Sequence, residues 1–96
     1  MTSKQRAYLR SLSNHIEPIF QVGKMGISDN LIKQVKDALK AREMIKIKVL
    51  ESVEAPIKDI AEEISLQTDS IIVQIMGNKI TLYKRNKEQT KIVLPK

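Results

Sequence analysis

Apolar positions along this chain alternate between helical and strand spacing, and each switch marks an element. Tyr8, Leu9, Leu12 and Ile16 recur at helical spacing, which predicts a first helix capped by Ser3 and running to about Asn14. Pro18 ends that stretch, because it restricts Glu17 and has no N–H to donate. Ile19-Phe20-Gln21-Val22 predicts a first strand. Ser28 suits the N-cap of a second helix and Asp29 its first turn, with Leu31, Ile32, Val35, Ala38 and Leu39 on the core side. Ile45-Lys46-Ile47-Lys48-Val49 alternates strictly, predicting a half-buried strand with two lysines on its wetter face. A polar connection from Glu51 to Ala55 leads to Pro56, which fits the first position of a third helix. That helix buries Ile57, Ile60, Ala61 and Ile64, and turns Asp59, Glu62 and Glu63 outward. Asp69 suits a left-handed helix end. Ile71 to Met76 predicts a third strand, Gly77-Asn78 a tight hairpin turn, and Lys79 to Lys84 the returning strand.

The element order is therefore α-β-α-β-α-β-β. Helical connections favour parallel pairing with right-handed crossovers, and the hairpin adds an antiparallel strand. The expected fold class is α/β, a single domain with a mixed four-stranded sheet packed by helices. The domain is expected over residues 1–85, with a C-terminal tail over 86–96 that is polar until Ile92-Val93-Leu94.

Ninety-six residues suit one modest core. The chain has no cysteine, so disulfides and thiolate metal sites are excluded, and a reducing, cytoplasmic setting is expected. Its apolar runs never exceed three residues, so no membrane partner is expected. Charge changes the picture more. Of the 17 Lys and Arg, ten lie in residues 1–48 against four Asp and Glu, whereas residues 49–96 hold seven of each. An excess confined to one half points to a polyanionic partner.

The basic half contains Gln21-Val22-Gly23-Lys24-Met25-Gly26-Ile27-Ser28, read as strand, Gly-x-x-Gly loop and helix start. Glycine lacks a Cβ and admits close backbone approach. The first-turn N–H groups of the following helix attract anions, and Lys24 adds a full charge. An ordinary strand-to-helix turn has the same spelling, so the loop gains meaning only from its surroundings. Lys33, Lys36 and Lys40 form one stripe along the helix that leaves it. Lys4, Arg6 and Arg10 lie off the buried stripe of the first helix. The acidic third helix is expected to point away from a polyanion.

Enzymatic chemistry finds no support. His15 has no acid arranged as its partner, and the chain lacks a Gly-x-Ser-x-Gly elbow, a P-loop lysine signature and a His/Cys cluster. No metal and no cofactor are expected. Tyr8, Phe20 and Tyr83 are the only aromatics, too few for a sheet that stacks successive bases. Recognition through phosphates and shape fits better, which favours structured RNA.

These motifs resemble a known family. Lys4-Gln5-Arg6-Ala7-Tyr8-Leu9-Arg10-Ser11-Leu12, His15, Pro18, Gln21 to Ile27, Ala38-Leu39, Ile45 to Lys48, Val73 to Gly77 and Leu82-Tyr83-Lys84 are similar to the CRM domain (chloroplast RNA splicing and ribosome maturation). The resemblance covers the chain to about residue 85. It implies an RNA-binding domain with a fold similar to the C-terminal domain of bacterial translation initiation factor three. Small bacterial members associate with precursors of the large ribosomal subunit, and plant members with several copies assist splicing; this chain looks like the bacterial kind. Lys84 stands where the family often has Arg, losing a bidentate fork but keeping the charge. Asp69 stands where glycine is common. The loop also resembles that of KH domains, which joins two helices rather than a strand and a helix.

The reading is a non-enzymatic, monomeric protein that engages ribosomal RNA of the large-subunit precursor, with ribosomal proteins as possible neighbours. Gly23 and Gly26 would admit the RNA backbone, Lys24 would pair with a phosphate, and Met25 would pack on a sugar or base. Lys4, Arg6, Arg10, Lys33, Lys36 and Lys40 would extend the surface. The alternative is an adaptor that binds an acidic ribosomal or assembly-factor protein through the same basic face.

Overall fold

A computed structural model describes residues 1–96 and has three helices and four strands in the order expected. The first helix, α1 (Ser3–Ser13), starts with Thr2 rather than Ser3 as its cap. The Thr2 hydroxyl accepts the N–H of Gln5 at 3.1 Å, and the Gln5 side chain accepts the N–H of Thr2 at 3.0 Å. A reciprocal cap needs an acceptor three residues on, and three residues after Ser3 stands Arg6, which has none. Strand β1 (Pro18–Val22) leads through the glycine loop to α2 (Asp29–Arg42). The Ser28 hydroxyl caps α2 by accepting the N–H of Leu31 at 3.0 Å. Strand β2 (Met44–Val49) is followed by α3 (Ile57–Thr68), which Pro56 precedes as the cap residue instead of opening it from within. Asp69 ends α3 in the left-handed region, φ 53° and ψ 47°, as expected. Strands β3 (Ile71–Met76) and β4 (Lys79–Tyr83) close the chain of elements, with Gly77 at φ 60° in the hairpin turn.

The sheet runs β1-β2-β4-β3. β1 and β2 are parallel, and β4 pairs antiparallel with both β2 and β3, so β2 and β3 are parallel with β4 between them. The two crossovers, β1-α2-β2 and β2-α3-β3, step across the sheet in the same direction. Right-handed crossovers in one direction put both helices on one face. There Val35, Leu39, Ile60 and Ile64 pack on Ile45, Ile47, Ile80 and Leu82, the larger core. Alternate residues of the same strands, Met44 and Tyr83, face the other way and meet Leu9 of α1. α1 precedes β1 and is no crossover, so it covers the opposite face.

Two expectations change as a result. The acidic α3 lies in the same layer as α2, so the charge contrast runs across one layer and not between two sides of the molecule. Tyr8 sits at the edge of the α1 stripe and is 38% exposed. Leu9 holds the centre of that stripe as expected, and the buried Ser13, which the spacing did not mark, joins it with its hydroxyl 2.6 Å from that of Thr81.

Glu43 gave no signal as a core residue, yet it is fully buried at the junction of α2 and β2. Its backbone turns at φ 65°, and its carbonyl accepts the N–H of Lys84 at 2.8 Å. One carboxylate oxygen accepts the N–H of Asn86 at 2.7 Å; the other accepts the N–H groups of Lys91 and, at 2.7 Å, Ile92. The C-terminal segment is thereby docked. Ile92 and Leu94 pack on the cluster of Leu9, Met44 and Tyr83, and the carbonyl of Pro95 accepts from the Gln5 side chain at 3.0 Å. Burial pushes the Glu43 carboxyl up, but the three N–H groups and the charge of Arg85 more than reverse this and hold it below its ordinary value.

Glu43→Gln replaces one carboxylate oxygen by an NH2 donor, leaving at least one part-buried N–H without an acceptor, and is expected to cost about 1–3 kcal/mol in urea denaturation at pH 7. Because the folded value is lowered, this stabilisation is complete above the ordinary value of 4.5 and fades as pH falls through the folded value. The gap in stability between wild type and Glu43→Gln should therefore narrow in acid below pH 4.5; a gap that widens there would contradict the assignment.

Candidate nucleic-acid interface

Gly23-Lys24-Met25-Gly26 is a four-residue turn closed by the N–H of Gly26 donating to the carbonyl of Gly23 at 2.8 Å. Lys24 projects from its tip, and Met25 is 94% exposed, free of any packing role. The two glycines differ in what they do. Gly26 has φ 74°, a left-handed conformation that explains its identity by itself. Gly23 has no such φ, and a Cβ there would meet only the Leu50 side chain at 3.7 Å, an ordinary contact. The fold does not require glycine at 23.

The helix end beyond the turn is a weaker anion site than its position suggests. The Ser28 hydroxyl occupies the N–H of Leu31, the Ser28 carbonyl occupies that of Ile32, and Asp29 puts a carboxylate in the first turn. That carboxylate already complements the positive end of the helix. Attraction for an anion at the turn therefore rests on Lys24 and the bare backbone.

All six further candidates are exposed, but the sheet divides them. Lys33, Lys36 and Lys40 lie on α2, on one face; Lys4, Arg6 and Arg10 lie on α1, on the other. A third group, absent from the candidate set, comes from the strands. Register places Gln21 beside Lys48, Lys48 beside Lys79, and Lys79 beside Met76. This row crosses the sheet on the α1 side, starting two residues before Gly23. Neighbouring strands lie about 4.8 Å apart, so the row spans roughly 14 Å. Lys46, one step further in, donates to the carbonyl of Ser13 at 2.6 Å, which ties its charge to the end of α1. The strict alternation of β2 foretold the two lysines; their alignment with Lys79 depends on pairing between distant strands.

A fourth basic group lies at the far end of α2. Lys36 and Lys40 line a cavity of about 400 Å³ together with Lys84, Arg85 and Lys87. No three His, Cys, Asp or Glu side chains come together as a metal site. His15 borders a mostly apolar hollow with Leu12, Ile16 and Met44, whose lining contains no hydroxyl or thiol nucleophile. No helix is long and apolar enough to cross a membrane.

Set beside known proteins, residues 1–84 match the model of the CRS1 / YhbY (CRM) domain. The chain is 50% identical over 95 residues to the "Probable RNA-binding protein YqeI" of Bacillus subtilis, covering 99% of both chains. It is 30% identical over 96 residues to an "RNA-binding protein" of Haemophilus influenzae, covering all of this chain and 96% of that one. Among solved structures, the hypothetical protein SAV1595 from Staphylococcus aureus superimposes with a TM-score of 0.82 at 47% identity over 99% of each chain.

The unequal roles of the glycines can be measured before any ligand is added. Gly26→Ala forces a Cβ into the left-handed region and should lower stability by about 1–2 kcal/mol. Gly23→Ala should change it by no more than about 0.5 kcal/mol, the range of an unconstrained surface site. Thermal or urea unfolding of the two variants checks this, and equal losses would mean that both positions serve the turn alone.

Proposed function

The chain belongs to the CRS1 / YhbY (CRM) domain family, and we propose that it binds RNA without catalysing a reaction. The family and the names of the relatives support RNA as the partner. The Gly23–Gly26 turn is the primary contact in this reading. The observation that carries it is Gly23, a glycine that neither backbone conformation nor internal space requires. Its bare backbone lets a sugar-phosphate chain approach, Lys24 pairs with a phosphate, and Met25 lies against a sugar or base.

The finer reading is that the RNA is ribosomal, within a precursor of the large subunit in the cytoplasm. The resemblance of the basic first helix and the loop to small bacterial CRM proteins supports it. The basic side chains on both faces of the sheet suit a folded RNA better than a single extended strand. Lys33, Lys36 and Lys40 then meet phosphates on one side of the turn, while Lys4, Arg6, Arg10 and the Lys48–Lys79 row serve the other. Few aromatics are needed, because phosphates and shape dominate the contact. In-cell crosslinking followed by sequencing of the bound RNA tests the ribosomal assignment. Reads spread evenly over cellular RNA, with no enrichment for large-subunit precursor, would overturn it.

Charge and backbone approach separate in two variants. Lys24→Ala removes one phosphate partner, so the slope of log affinity against log salt should flatten by about 0.7–0.9. Gly23→Ala keeps every charge, so its slope should stay unchanged while affinity for a structured RNA falls about tenfold, or 1.4 kcal/mol, at every salt concentration. Filter binding or fluorescence anisotropy reads both quantities. A stable Gly23→Ala protein with wild-type affinity would reduce the turn to an ordinary connection.

A further inference from the structure

We propose that the basic cavity at the C-terminal end of α2 is a second phosphate-binding station for the same RNA, gripping its backbone at a distance from the Gly23–Gly26 turn. The proposal rests on the RNA-binding reading above. Lys36 and Lys40 come from α2, and Lys84, Arg85 and Lys87 arrive from the segment after β4 to line the same cavity of about 400 Å³. Asp37 and Glu88 are its only carboxylates, so five cations face two anions.

The blander explanation is complementarity to the helix dipole, whose negative end attracts cations. That accounts for Lys40 and Arg42 in the last turn of α2. It also covers Lys84, whose ammonium donates to the carbonyl of Thr68 at the end of α3 at 3.4 Å, but not Arg85 and Lys87, which are carried in from some forty residues away although like charges gathered in one hollow repel. The chain holds them there deliberately. Lys84 is anchored by its N–H to the Glu43 carbonyl, and Asn86 by its N–H to the buried Glu43 carboxylate. The Asn86 side chain also donates to the Lys40 carbonyl at 2.7 Å and accepts the N–H groups of Glu88 and Gln89. The segment is thus folded onto the end of α2, with Lys84, Arg85 and Lys87 themselves exposed. A prearranged cationic hollow of this kind suits phosphate oxygens.

Position decides which phosphate. Lys36 and Lys40 stand seven and eleven residues beyond Asp29, the start of α2, so turn and cavity are separated by about 10–17 Å along its axis. A free nucleotide can fill only one of them. An RNA backbone reaches both within a few nucleotides, passing Lys33 on the way.

The test uses the full chain, a 20-base-pair RNA hairpin as probe, and the triple variant Lys84→Gln/Arg85→Gln/Lys87→Gln. The salt slope should fall by about 2, the value for three lost phosphate contacts, with at least a tenfold loss of affinity at low salt. A variant with the wild-type slope would overturn the second station while leaving RNA binding intact. Absence of hairpin binding by the wild type would instead overturn the RNA reading itself, and this proposal with it. Backbone amide shifts of Lys84 to Lys87 in the wild type, followed by NMR during titration with the hairpin, keep the question decidable if the triple variant unfolds. Shifts there support the station, and their absence at saturation rejects it. ATP supplies the competing source of phosphate. If it binds this cavity as tightly as the hairpin does, the site serves free polyphosphates and the proposal fails.

Discussion

The handedness of two crossovers governs most of what this molecule can present to a partner. Both step across the sheet in one direction, so α2 and α3 must share a face. That face gains the larger core, and the opposite face is left with Met44, Tyr83 and Val73 to cover. α1 alone is too short to do so. Ile92 and Leu94 of the last residues complete the cover, and Glu43 is the group that fastens them. A carboxylate buried at a helix-to-strand junction is costly unless its oxygens are satisfied. Here three backbone N–H groups satisfy them, and those groups belong to the segment that needs holding.

The elements were legible because each is written in local spacing. The alternation of Ile45 to Val49, the Ser28 cap and the left-handed Asp69 all follow from neighbours within four residues. What remained hidden depends on contacts across the chain. The division of basic side chains between two faces follows from strand order, which no local pattern encodes. Tyr8 fits the helical stripe by spacing but lies at its edge, while the buried Ser13 looks polar until its partner Thr81 is known. Glu43 left no local trace, because the N–H groups that satisfy its carboxylate come from residues 86 to 92.

The glycine loop shows the same limit at smaller scale. Its spelling gave a turn between strand and helix, and the hydrogen bond from Gly26 to Gly23 agrees. Spelling could not distinguish a glycine needed for φ from one that is not. The distinction matters because a residue explained by the fold carries no information about a partner. Gly26 is explained at φ 74°. Gly23 is not, and with Lys24 and Met25 beside it the unexplained position coincides with the charge and the exposed apolar side chain.

Stability and binding also meet in one group. Glu43 holds Asn86, and Asn86 holds Lys84 to Lys87 against the end of α2, so the carboxylate that completes the smaller core also fixes the cationic hollow beside it. Its charge does further work there. A buried anion lowers the repulsion among nearby cations, and Arg85 in turn helps keep that carboxyl ionised. The basic segment is thus held in place by the fold itself. For the proposed phosphate station, little conformational entropy is then left to lose on binding, which is the physical advantage of a prearranged site over a flexible basic tail.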